Sequence, residues 1–351
     1  MSDIRTLCDF LEQTQNPYRV FDLGRRVAKL SNEQFKAFET NDAPYPYPLQ
    51  GHAWFGIVNW NQNNSEEQLV LFLKLPLDEA GRLVYAARDD LIYRMLKSFK
   101  ETLDAQNEGK SEVEDTMRNS PYGFTPNQER MAVFHAKALK TMGQPPSKYY
   151  QHARDYFSGT LGYEQWAFVG FQGIADISAH WKDDNNATLL AKAIPQLPDQ
   201  PFDALCKCLE NEQITTTLVE PLLARFDNLV DDQHANPLAL SAILRAISFT
   251  PAEGLRRAAI KRLLHSPHKG DLDLLVTISG RCWEDLKDGE LCHLFLETLA
   301  NSEHGAQIFS QLLADILYLP DMREPVMAQL RNPDRSLALE TMVGAMFGRE
   351  R

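Results

Sequence analysis

Leu244-Arg245-Ala246-Ile247-Ser248-Phe249-Thr250-Pro251 decides how the larger part of this chain is read. An apolar helical stretch runs into a proline, and Leu255, Ile260 and Leu263 resume helical spacing beyond it. Proline fixes its own φ and lacks an N–H, so it belongs in a turn or at a helix start. Two other stretches have the same form. Leu190-Ala191-Lys192-Ala193-Ile194-Pro195-Gln196-Leu197-Pro198 leads to Leu205 and Leu209, and Leu313-Ala314-Asp315-Ile316-Leu317-Tyr318-Leu319-Pro320 leads to Val326, Met327 and Leu330. Each predicts a helix, a proline turn and a second helix. Such pairs bury their apolar faces only against neighbours, so they stack. The prolines at 198, 251 and 320 are 53 and 69 residues apart, too far and too unequal for consecutive copies. Further helices are therefore expected at 217–228 and 272–299. The reading is an irregular HEAT-like helical stack over residues 187–351. A non-repetitive bundle with chance proline turns is the alternative.

Working toward the N-terminus, residues 119–186 read as a helical connecting segment packing between domains. Helix starts are expected at Thr125-Pro126-Asn127-Gln128 and Thr250-Pro251-Ala252-Glu253, with threonine as N-cap and proline at the first helical position. Asn236-Pro237 and Asn332-Pro333 are simpler versions. Residues 166–181 read as a buried helix in which Gly170 and Gly173 admit a close neighbour, or as a strand followed by a helix.

Residues 1–118 read as a small α+β domain. Ser31-Asn32-Glu33-Gln34 is a capping box. Pro44-Tyr45-Pro46-Tyr47-Pro48 must run extended. Residues 18–23 and 54–60 are β-prone, and Leu69, Leu71, Leu73 and Leu75 recur with period two. The polar run 61–68 is read as a hairpin connection. A tighter one at Asp78-Glu79-Ala80-Gly81 leads to a further strand at Leu83-Val84-Tyr85, completing an antiparallel meander. Asp89-Asp90 opens a helix through Leu91, Met95 and Phe99. The acidic run 101–115 is the expected domain boundary. The fold class is thus α+β, a small antiparallel sheet with helices followed by an all-α stack.

Composition sets the frame. The 351 residues carry 36 basic and 48 acidic side chains, a formal charge of −12, with 44% hydrophobic residues. At roughly 150 residues per domain this length suggests about two domains. The acidic balance disfavours nucleic acid, because phosphate neutralisation needs surplus Lys and Arg. The start Met1-Ser2-Asp3-Ile4-Arg5-Thr6 has no basic-then-apolar leader pattern, and no run of about 20 apolar residues occurs. Five scattered cysteines suit a reducing cytoplasm. No membrane partner and no cofactor is expected; a protein partner is.

The hexapeptide Phe21-Asp22-Leu23-Gly24-Arg25-Arg26, with the aromatic strand at 54–60 and this chain length, resembles an uncharacterised bacterial family known only as a domain of unknown function. The resemblance covers nearly the whole chain. It implies a bacterial cytoplasmic origin and supplies no activity.

Three groups of residues are candidates for chemistry. Arg25 and Arg26, with Tyr47, His52 and Trp54, offer guanidinium and aromatic groups for an anion or small ligand. The same residues fit a structural use, with Asp22 pairing an arginine and the aromatics covering a shallow sheet. Arg245, Arg256, Arg257, Lys261 and Arg262 form a basic run, with Arg281 further on; it would suit a partner or nucleic acid if the residues shared one face. His180 with Asp183-Asp184 has acid–base residue types within the composition of a solvated turn. Cys206-x-Cys208 places its thiols about 200° apart on a helix, so one metal ion cannot take both. No phosphate-binding glycine loop and no nucleophile elbow is present. The expected function is a non-enzymatic interaction protein; the alternative is a ligand-binding enzyme or sensor centred on the sheet.

Overall fold

The computed structural model describes residues 4–61, 64–104, 115–346 and 348. It divides into two compact units, Met1–Met131 with Tyr318–Pro320, and Ala132–Leu317 with Asp321–Arg351. The domain boundary expected in the acidic run falls largely on residues outside the described set.

The first unit is built on a four-stranded antiparallel sheet of order β2-β1-β3-β4, with β1 Tyr18–Asp22, β2 Ala28–Leu30, β3 His52–Asn61 and β4 Asn64–Pro76. β1 lies between β2 and β3, with Val20 opposite both Leu30 and Ile57. α1 (Leu7–Gln13), α2 (Asn32–Glu39) and α3 (Tyr85–Asp104) complete it. Thr6 and Asp9 form a capping box on α1, and Ser31 and Gln34 form the expected one on α2. The core joins Leu7 and Leu11, Phe35 and Phe38, and the inward sides of Val20, Phe55, Ile57, Leu71 and Leu73. Phe35 meets Phe55 edge-on at 5.1 Å, and Phe38 meets Tyr45 at 4.9 Å. Each such ring, fully buried, contributes about 1.5–3 kcal/mol.

Three expectations for this unit change. Leu83 makes only an isolated bridge with Leu77, and α3 begins at Tyr85, before Asp89. The expected meander strand is therefore a turn into a helix. The strands continue through Asn61 and from Asn64, so the polar hairpin connection is shorter than 61–68. The fourth strand is β2, whose three residues are too short to show a period.

Among the described residues, every regular element of the second unit is a helix. α4 (Gln128–Thr141) crosses into it, followed by α5 (Tyr150–Phe157), α6 (Phe171–Ala179), α7 (Asn186–Ala193), α8 (Asp199–Leu209), α9 (Thr216–Leu229), α10 (Pro237–Ile247), α11 (Glu253–Leu264), α12 (Leu272–Arg281), α13 (Gly289–Ala300), α14 (Gly305–Leu317), α15 (Arg323–Leu330) and α16 (Leu337–Met346). All three proline stretches are helix–turn–helix, as α7–α8, α10–α11 and α14–α15. Packing skips one helix at a time. α6, α8, α10, α12, α14 and α16 each touch the next in that series, and so do α5, α7 and α9, and α11, α13 and α15. The helices α8, α10, α12, α14 and α16 begin at 199, 237, 272, 305 and 337, at intervals of 38, 35, 33 and 32 residues. The proline spacing of 69 residues between 251 and 320 is two such repeats. The spacing of 53 is uneven because Pro198 precedes a helix of this series whereas Pro251 follows one.

Several helix starts are corrected. Asn127, not Thr125, caps α4, accepting from Arg130 N at 2.8 Å. α11 begins at Glu253, and Thr250 donates to Ile214 O at 2.7 Å instead of capping it. Asn332 turns the chain by accepting from Asp334 N, and Ser336 accepts from Leu339 N at the start of α16. Asn236 caps α10 as expected. Residues 166–181 are not one buried helix. A 3-10 turn at Tyr163–Phe168 has no buried residue, and Phe168 is 72% exposed. Gly173 does admit a neighbour: a Cβ there would lie 2.8 Å from Tyr149 O and 2.9 Å from Ala153 Cβ. A Cβ on Gly170 would meet nothing within 4 Å. Among the described residues no helix is long and apolar enough to cross a membrane.

Candidate functional site

The FDLGRR turn is organised around a buried carboxylate. Asp22, at the end of β1, is fully buried. Its Oδ1 accepts from Gly24 N at 3.2 Å and from Tyr45 OH at 2.9 Å; its Oδ2 accepts from Arg25 N and Arg26 N, both at 3.1 Å. A Cβ on Gly24 would lie 3.3 Å from that carboxylate, so glycine is what lets the chain wrap it. Burial pushes the Asp22 carboxyl up to about 6, against the lowering effect of the amides, Tyr45 and Arg130. Arg25 is 1% exposed, and its Nε donates to Pro48 O at 2.9 Å. Arg26 is also buried. Arg130 closes the turn from α4 by donating to Leu23 O and Gly24 O.

The aromatic candidates lie around the same turn. Trp54 Nε1 donates to Leu49 O at 2.9 Å, and its ring meets Phe124 edge-on at 5.0 Å. Tyr47 packs partly buried against the core, and His52 Nδ1 donates to Gln50 O at 2.8 Å. The structure therefore gathers Arg25, Trp54 and their loop, and places Asp22 on backbone amides of the two arginines.

The basic run is distributed over several ion pairs. Arg245 and Arg281 both reach Glu210, with Nε to Oε2 distances of 2.7 and 3.2 Å. Burial alone would raise the Glu210 carboxyl, but Arg281 and Arg245 outweigh it and hold it below its ordinary value. Arg256 is 4% exposed, grips Asp285 through both Nε and NH2, and donates to Thr250 O. Lys261 pairs with Glu290, and Arg262 with Asp227 and Asp231. Each of the five positions thus faces a carboxylate of its own unit.

Arg257 and Lys261 also line a groove of about 180 Å³. They stand one turn apart on α11. Asp288 and Glu290, at the start of α13, line it from the other helix, and Ala258, Leu291 and Leu294 complete the lining. Arg257 NH2 donates to Glu253 Oε2 at 3.2 Å. Its Nε is buried and makes no hydrogen bond, lying 3.4 Å from Asp285 Oδ1. NH1 stands 3.9 Å from Asp288 Oδ2.

One family model matches residues 2–347, nearly the whole chain. The chain belongs to that family, described as Protein of unknown function (DUF3549). No curated protein and no solved structure matches.

In this DUF3549 chain the acid–base group at 180–184 does assemble. His180 Nδ1 donates to Asp183 Oδ2 at 2.8 Å, and Lys140 Nζ donates to the same oxygen at 3.0 Å. Burial opposes ionisation of Asp183, but Lys140 and His180 hold its carboxyl below the ordinary value. His180 Nε2 is closed off from solvent and has no hydrogen-bond partner. Asp184 and Asn185 take left-handed backbone, at φ 50 and 60, and Tyr150 OH donates to Asp184 Oδ2. The imidazole is fixed but shielded, an arrangement suited to holding a turn rather than meeting a substrate.

Sequence reasoning missed Glu210 and Asp285, the buried partners of the basic run. Their contacts span 35 and 29 residues, so no local pattern announces them. A spacing near one helix-pair repeat is the signal that would have found them.

Proposed function

We propose that this chain is a non-enzymatic cytoplasmic interaction protein of bacteria, whose second unit is a HEAT-like stack holding a protein partner. The observation that supports it is the next-but-one packing of α6 through α16, with helix pairs recurring at 32–38 residues. Stacked pairs contact only their neighbours and leave long faces open. Exposed apolar side chains, including Leu238 on α10 and Val276 on α12, remain on that unit. The charge of −12 draws a basic partner. Nucleic acid has less support, because Arg245, Arg256, Arg257, Lys261 and Arg262 each face a carboxylate. The small-ligand reading of the sheet has less support as well, since Arg25 and Arg26 are buried within their own turn.

The test is capture by the full chain from bacterial lysate, followed by binding of the purified partner. A basic protein should be retained at low salt and lost on Leu238→Glu with Val276→Glu, at unchanged circular dichroism. Failure to recover a reproducible partner, or equal retention by the double variant, would sink the proposal.

A further inference from the structure

We propose that the groove between α11 and α13 is a binding site for a free apolar α-amino acid. Its volume of about 180 Å³ is small beside the roughly 300–1,000 Å³ of sites for drug-sized ligands, and suits a ligand of a few heavy atoms. At about 30 Å³ per water it displaces only about six waters, the scale of one large residue. Its two helices bring opposite charge: Arg257 and Lys261 from α11, Asp288 and Glu290 from the start of α13, with apolar lining from Ala258 on the first and Leu291 and Leu294 on the second. A zwitterion with an apolar side chain matches all three surfaces at once. Its carboxylate faces Arg257 and Lys261, its ammonium faces Asp288 and Glu290, and its side chain covers the leucines.

Arg257 has the donors to spare for this. Its guanidinium carries five N–H groups. Its one described hydrogen bond goes to Glu253, and its Nε and NH1 stand 3.4 and 3.9 Å from the nearest carboxylates. An incoming carboxylate can therefore take NH1 and NH2 in the two-pronged manner guanidinium favours, displacing the exposed Glu253 while the buried Nε stays beside Asp285. The cross-groove pair that must yield is Lys261 with Glu290, whose side chains are 51% and 77% exposed. Exposed pairs of this kind contribute little, so displacing it costs little.

Calorimetric titration of the full chain with L-leucine tests the site. Saturable one-to-one binding is expected, with L-leucinamide and 4-methylpentanoate at least about tenfold weaker, because each lacks one of the two charges. Arg257→Ala should weaken L-leucine by at least about tenfold. Ala258→Trp should fill the groove and abolish binding with every charged group in place, which separates a lost site from a lost fold; unchanged circular dichroism confirms that. The proposal fails if no saturable binding of L-leucine is seen up to about 10 mM. It fails equally if Ala258→Trp binds normally, or if either single-charge analogue binds as well as L-leucine.

Discussion

Asp22 in the sheet unit and Glu210 in the helical unit are both buried carboxylates, held in opposite ways. Asp22 takes three backbone amides and a tyrosine hydroxyl, and burial still lifts its carboxyl to about 6. Glu210 takes two arginine side chains and is held low. Neutral dipoles shape a turn but leave much of the desolvation cost standing. Full opposite charges remove it and join distant helices. The sheet unit uses its anion to fold one hexapeptide, whereas the helical unit uses its anions to tie repeats together.

The largest effect tests the helical side of this contrast. Arg256→Leu leaves Asp285 buried without its two-pronged partner and should lower stability by about 3–5 kcal/mol, read as a shift in denaturant midpoint. Adding Asp285→Leu should recover much of the loss; no recovery would mean the pair is not the cause.

Asp22→Asn comes next, since an amide cannot accept at its nitrogen and strands at least one donor pair. A loss of about 1–3 kcal/mol is expected near pH 4, the cost of leaving a buried donor unpaired. The sign follows from the raised carboxyl. The native state holds this proton more tightly than the unfolded chain, so the stabilisation is complete below about pH 4 and drains away as pH climbs through 6. The difference between wild type and variant should therefore shrink from pH 4 to pH 7. A constant difference would break the comparison.

Gly173→Ala should cost about 1–3 kcal/mol despite better helix propensity, because the new methyl meets Tyr149 O of the backbone. Thermal unfolding checks it against Gly170→Ala, which should be neutral or stabilising. Lys261→Ala should change stability by less than about 1 kcal/mol, as an exposed pair. A larger loss would mean that the groove rim holds α11 on α13.

The legible parts of the fold were local. The capping box of Ser31 and Gln34, the strand at 18–22 and the three proline turns depend on residues a few positions apart. β2 escaped notice because Ala28-Lys29-Leu30 is too short to alternate, and pairing with β1 alone makes it a strand. The repeat length escaped because proline marks joints of two kinds, before and after a helix of the α8–α16 series. At the candidate sites, residue types were legible and partners were not. Arg257 and Lys261 were visible as charges, whereas the opposite charge of Asp288 and Glu290 comes from the next helix but one.

Glu210 has a consequence for how the stack comes apart. It sits at the C-terminal end of α8 and binds Arg245 from α10 and Arg281 from α12, spanning 35 and 71 residues. In a linear array each repeat can fray from the end independently, at a free energy set by one interface. A single anion shared by two successive interfaces couples them, so opening one weakens the other. The middle of the stack should therefore release its slow amide hydrogens as one block of three helices, while α14 to α16 exchange sooner and separately.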